Sequence, residues 1–259
     1  MKKLLFGFLV IAPAILLAQS SFDGTWRFTP QSGQFGGKPD TFSLQKGVYR
    51  CESCVPKIEV KADGKDHKVG GSPYYDTVSA KVADDHTIEI VSKKNGKVVG
   101  TSKMSASQDG NTLNTEFTFV LESGQKGNGT FTSTRLTAAP EGANKTSGSW
   151  KPNKMESASE NIMTVTYKVT DDSLSMSDPT GDSYSAKFDG KDYPYKGDPG
   201  TTSVSLKKIN DNTIEETDKR DGRVISVSRM MVSPDGRTMK VEGEDKLHGT
   251  TFKFEGKKQ

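Results

Sequence analysis

Apolar residues fall on every second position through most of this chain. In Thr77-Val78-Ser79-Ala80-Lys81-Val82 the side chains of Val78, Ala80 and Val82 share one face, the mark of a strand with one buried side. Ile88 and Ile90 repeat the alternation, as do Leu113, Phe117 and Phe119. Asp84-Asp85, Asn95-Gly96 and Asp109-Gly110 separate these runs, and Asn210-Asp211, Asp221-Gly222 and Asp235-Gly236 separate later ones. Asn-Gly and Asp-Gly suit the positive φ of two-residue hairpin turns, so successive strands should pair antiparallel. No helical stripe longer than one turn follows the N-terminal segment. The pattern predicts an all-β fold.

Shifted by 126 residues, the chain falls on itself. Asp63-Gly64-Lys65-Asp66 recurs as Asp189-Gly190-Lys191-Asp192, and Thr87-Ile88-Glu89 as Thr213-Ile214-Glu215. Between Asp63 and Thr115 the copies align without a gap at 22 identities in 53 positions, far above what composition alone gives. A single duplication of that length implies two similar domains rather than a solenoid. Gly24-Thr25-Trp26 matches Gly148-Ser149-Trp150, and these hold the only two tryptophans. Residues 138–146 are small, polar and Pro/Gly-containing and read as a linker. The expected division is a first module over 22–137, the linker over 138–146 and a second module over 147–259. Closing a sheet on itself removes its edges, so two tandem antiparallel meander barrels of roughly eight to ten strands each are expected. A two-sheet sandwich also accommodates the alternation.

Met1-Lys2-Lys3 precedes a nearly unbroken apolar run from Leu4 to Ala18, followed by Gln19-Ser20-Ser21. These are the three parts of a cleavable secretory signal, residues 1–18, where Leu16-x-Ala18 favours a cut after Ala18 and Ala18-x-Ser20 would also serve. The run falls short of the about 20 residues of a spanning helix and contains Pro13, so no membrane span is expected in the mature chain. The expected location is the periplasm or the cell exterior. Lys2 and Lys3 supply two of the net +3 charges, and the remaining +1 gives little support for nucleic-acid binding.

Cys51 and Cys54 are the only cysteines. In an exported protein such a close pair is most simply a local disulfide. A redox pair, the sharper reading, needs a helix N-terminus, and Val55-Pro56 with strand-like sequence follows instead. A metal site needs a second pair or a His cluster, so neither metal nor cofactor is expected.

Gly24-x-Trp26 and Gly148-x-Trp150 resemble the opening signature of the lipocalin and fatty-acid-binding (calycin-like) barrels. The resemblance implies that the tryptophan closes one barrel end under a basic residue from the last strand. Arg135 is the candidate for the first copy, and Lys253 or Lys257 is a weaker match in the second. It also implies a small apolar or amphipathic ligand inside the barrel. The whole chain resembles a group of exported bacterial proteins of tandem architecture, a likeness that implies export and no activity.

No phosphate loop, H-E-x-x-H or G-x-S-x-G motif is present, and His67, His86 and His248 read as surface residues, so catalysis is not expected. Trp26, Phe117, Phe119 and Phe131 alternate inward, as plain core or as a cavity wall. Tyr74 and Tyr75 stand where the second copy has Gly200-Thr201, so the fold does not require them. They fit a ligand contact, a dimer surface or an exposed loop. Glu216 takes the place of Ile90: either the second barrel has a polar interior or its strand is locally turned. The candidate ligand-binding residues are Trp26, Tyr74, Tyr75, Phe117, Phe119, Arg135, Trp150 and Glu216. An exported lipocalin-like binding protein is the expected function, and solid barrels would instead mean a structural or protein-interaction module. Nothing in the pattern fixes an oligomeric state.

Overall fold

Turn chemistry and alternation produce the strands that the sequence predicts. Asn95-Gly96 (φ 50° and 76°) and Asp221-Gly222 (φ 50° and 77°) close equivalent hairpins with both central residues left-handed, as a tight turn matched to strand twist requires. The computed structural model describes residues 20–121, 124–170 and 172–259, and the segment 1–18 read as a secretory signal lies outside them.

The chain begins with β1 (Gly24–Phe28) and β2 (Gln34–Gly37), bent about a 3-10 turn at Pro30–Ser32. It continues through β3 (Asp40–Gln45), β4 (Val48–Cys51), β5 (Ile58–Lys61), β6 (His67–Lys68) and β7 (Thr77–Asp84). Next come β8 (Thr87–Lys94), β9 (Lys97–Ala106), β10 (Thr112–Val120), β11 (Lys126–Arg135) and β12 (Gly148–Ala158). A second 3-10 turn at Glu160–Ile162 leads to β13 (Thr164–Val169), β14 (Ser173–Ser177), β15 (Ser183–Lys187) and β16 (Tyr193–Lys196). β17 (Ser203–Asn210), β18 (Thr213–Arg220), β19 (Arg223–Val232), β20 (Thr238–Asp245) and β21 (Thr250–Lys258) complete it.

These strands form two antiparallel meander barrels, of ten and eleven strands, but the barrels do not follow the division at 22–137 and 147–259. Strands β3 to β12 make one of them, with β12 pairing both β11 and β3. Strands β13 to β21 make the other together with β1 and β2. One barrel is therefore inserted, contiguous in sequence, into a second barrel that is split across both chain ends. The two Gly-x-Trp strands have changed places: Trp150 opposes Asp40 in the inserted barrel, and Trp26 opposes Val165 in the split one. The physical reason is local. β12 is the next meander strand after β11, in register through Arg135↔Trp150, and its other edge meets β3, so the ring completes without β1. β1, which shares the Gly-x-Trp motif with β12, then fills the matching slot beside β13 and β21. Residues 138–146 are accordingly no linker between barrels. They belong to the β11–β12 connection and hydrogen-bond to the inserted barrel through Asn144 N–H to Leu44 O and Lys145 N–H to Asp85 O.

The split barrel closes where β21 meets β1, with Trp26 opposite Lys258. The inserted barrel is nearly closed and keeps one seam, between β5 and β6. The corresponding β15 and β16 pair through Ser183↔Lys196 and Tyr184↔Tyr195. The seam follows from sequence: Gly70-Gly71 stand where the split barrel carries Lys196 and Gly197, which cuts β6 to two residues against four in β16.

Both tryptophans are fully buried in their barrel cores, and each donates its indole N–H to a backbone carbonyl four residues earlier, Phe22 for Trp26 and Thr146 for Trp150. Arg135 stacks over Trp150, not Trp26, with its guanidinium carbon 4.0 Å from the ring centroid. Its fork donates to the carbonyls of Gly110, Thr137, Ser147 and Lys145. The residue over Trp26 is Lys258, whose Nζ lies 4.9 Å from the ring centroid and donates to Ser21 O. Lys253 and Lys257 are excluded because alternation along β21 turns both outward, and Lys253 pairs with Glu242 there. Replacing Arg135 with Ala removes a cation–π contact and strips four carbonyls of their donor. Arg135→Ala is expected to destabilise the inserted barrel by about 1–3 kcal/mol, read from the urea midpoint, with Arg135→Lys recovering only part because it lacks the planar fork.

Candidate functional site

A half-open pocket of about 380 Å³ leads into the inserted barrel, within the range of small-molecule sites. Its wall is built by inward positions of successive strands: Phe42 from β3, Tyr49 and Cys51 from β4, Ile90 from β8, Phe117 from β10 and Phe131 from β11. Between these apolar groups the hydroxyls of Ser92, Ser102, Thr115 and Ser133 face the space. Cys51 and Cys54 form a disulfide and both sulfurs' residues line the wall. Phe117 packs flat against Gly129 on the neighbouring strand, where a Cβ would come 2.7 Å from the ring, so the glycine is what lets that phenyl lie inward.

The split barrel has different residues at the equivalent points. Ile58 is replaced by Tyr184, Val69 by Tyr195, Ile90 by Glu216 and Ser92 by Asp218. Tyr184 and Tyr167 are buried in its core and Tyr195 packs against them. Tyr184 Oη donates to Glu216 and Tyr195 Oη to Asp182 at 3.4 Å. Glu216 pairs in regular register with Leu206 and Ser228, so the strand is not locally turned: this interior is polar. Burial raises the Glu216 carboxyl above its ordinary range. Burial, then the Glu216 and Asp198 charges, push Asp218 up to about 8.

Of the candidate residues, Tyr75 and Phe117 line the cavity. Phe119 stands off it and stacks on Phe117, with centroids 6.5 Å apart. Trp150 and Arg135 close the barrel end without facing the space, and Trp26 and Glu216 belong to the other barrel. Tyr74 is a contact between barrels: its hydroxyl lies 3.4 Å from Asp198, Arg220 approaches its ring at 5.9 Å, and it covers Gly200 so closely that no Cβ fits there. Gly200 holds the position that corresponds to Tyr74 itself, so the two copies touch through the same loop.

Two wall residues that can carry charge, an aspartate and a histidine, were not among the candidates. Asp40 and His248 both line the cavity, the first from β3 and the second from the β20–β21 turn of the split barrel. Burial raises the Asp40 carboxyl, opposed by the nearby His248 charge and the Ser53 hydroxyl. His248 Nδ1 lies 2.6 Å from Asp245, a hydrogen bond that raises its pKa against the effect of burial. Asp40 stands opposite Trp150 where Val165 stands opposite Trp26, an asymmetry that shows only once the strand pairing is known. His248 reaches the wall only through packing between barrels.

Among the described residues, no group of three or more His, Cys, Asp or Glu is placed to hold a metal ion. Buried aromatic surface, a chamber and one charged end are what a binding site requires. No protein-family model matches this chain, and no curated protein matches it either.

Proposed function

We propose that this chain is an exported binding protein whose inserted barrel holds one small amphipathic molecule, with the split barrel as its support. The observation that carries the reading is the contrast between the two interiors. The same fold is made twice from related sequence, and where one copy carries tyrosines and carboxylates the other has smaller side chains around a 380 Å³ chamber. The pocket is half open to solvent, and a concavity of that size lined by aromatic rings leaves apolar surface wet that a bound molecule would cover. The disulfide fits an oxidising compartment outside the cytoplasm. No helix among the described residues is long and apolar enough to cross a membrane. The split barrel's polar, tyrosine-rich interior favours a structural role for that half alone. Its Asp245–His248 turn completes the chamber wall. The role is binding without catalysis.

The test uses native mass spectrometry of the protein purified from its own host, together with titration of N-phenyl-1-naphthylamine, a neutral fluorescent probe. A co-purified mass or a saturable fluorescence rise is expected. Ser102→Phe projects a ring into the chamber and should weaken the probe by about tenfold or more while the thermal midpoint holds or rises. No response from wild type, or equal binding by the variant, would rule the chamber out as the site.

A further inference from the structure

We infer that the molecule held by the inserted barrel is a small amphipathic cation whose amine pairs with Asp40 while its apolar body lies among Phe42, Phe117 and Phe131. This rests on the proposal that the chamber binds a ligand. Among the described residues the wall contains one carboxylate, Asp40, and no lysine or arginine. Its one basic group, His248, is already hydrogen-bonded to Asp245 at 2.6 Å, so a single imidazole serves two carboxylates. Ser53 is the hydrogen-bonding neighbour that lowers the Asp40 pKa against the effect of burial. An ionised carboxylate facing an apolar chamber requires a cation or several donors to offset its lost hydration.

The neighbouring groups are hydroxyls, which accept as well as donate. Tyr49, 4% exposed, and Tyr75 line the pocket together with Asp40, and the charges of Asp40 and Tyr75 both bear on the Tyr49 hydroxyl. A primary ammonium offers three N–H donors to such a wall, an alcohol one and a carboxylate none. Aromatic faces along the wall favour a cation further. A pocket of about 380 Å³ lies at the small end of ligand sites, which suits a compact body of one to three rings.

The experiment is isothermal titration calorimetry of the mature chain at neutral pH with three matched probes: 4-phenylbutylamine, 4-phenylbutan-1-ol and 4-phenylbutyrate. The amine is expected to bind about tenfold tighter than the alcohol, with the carboxylate weakest. Asp40→Asn should bring the amine down to the alcohol's affinity and leave the alcohol within about twofold. Asp40→Val, which copies Val165 of the split barrel, serves as second variant should the amide disturb folding. Equal binding of amine and alcohol by wild type, or a preference that survives both variants, overturns the cation and leaves the chamber as the site. Binding of N-phenyl-1-naphthylamine with none of the three probes also overturns the cation. Failure of all four compounds overturns the chamber itself.

Discussion

A protein carrying Thr25→Cys and Thr166→Cys is expected to form the 25–166 disulfide in most molecules under mild oxidation, whereas Thr25→Cys with Thr41→Cys keeps both thiols free. Thr25 and Thr166 are directly opposed on β1 and β13, with their hydroxyl oxygens 2.9 Å apart. Thr41 and Ser149 occupy the equivalent place between β3 and β12, with oxygens 3.2 Å apart. Thiols replacing either pair start within the distance a disulfide spans. If each copy instead kept its own first strand, Thr25 would face Thr41 and Ser149 would face Thr166, and the outcome of the two double variants would reverse. Peptide mapping by mass spectrometry reads the linkage and separates it from Cys51–Cys54. The result matters for stability too. The split barrel closes only when residues 26–28 meet residues 256–258, a pairing that spans nearly all of the described chain, so its closure carries a large loop-entropy cost. The inserted barrel needs only residues 40–158.

Much of this fold was legible because its determinants are local. Period-two runs placed the strands, Asn95-Gly96 and Asp221-Gly222 placed the turns, and the burial of both tryptophans followed from their position in a shared motif. The exchange of β1 and β12 was not legible, since Gly24-Thr25-Trp26 and Gly148-Ser149-Trp150 are near-equivalent as sequence. Which ring each joins is decided by what lies next to it in space. The misplacement of Arg135 over Trp26 followed from that one error. Phe117 and Phe119 show the limit of alternation: both face the same side of β10, yet only Phe117 reaches the chamber. Asp40 and His248 were missed for another reason. They face one pocket from two different barrels, and no spacing along one strand encodes that placement. Glu216 could be read because a carboxylate at an inward position breaks the pattern by itself.

Glu216 and Asp218 lead to a result opposite in sign to the usual effect of carboxylates: the split barrel is expected to lose stability as the pH rises from about 5 to about 8.5. Asp218 has one buried oxygen without a hydrogen-bond partner. The Tyr184 hydroxyl donates to Glu216, and the Glu216 charge raises Asp218 further. The pair is thus most stable holding a proton. With Asp218 pushed from 3.8 up to about 8, the folded chain binds more protons than the unfolded one between those values. The stabilisation is complete below the unfolded pKa and is lost as the pH climbs through the folded one. Asp182, pushed up to about 6 by burial and by the Asp178 and Asp198 charges, acts in the same direction. The surface aspartates with lowered pKa values, such as Asp63 and Asp109, change stability only below this window. Asp218→Asn keeps the shape and removes the charge. It should match wild type near pH 5 and exceed it by about 3–5 kcal/mol near pH 8.5, in urea titrations that follow the split barrel. His248, whose pKa is also raised, contributes equally to both proteins and drops out of the difference. A wild-type stability that stays flat or climbs across this range would mean that the two carboxylates are ionised in the fold, and the polar interior would then need a bound cation to exist.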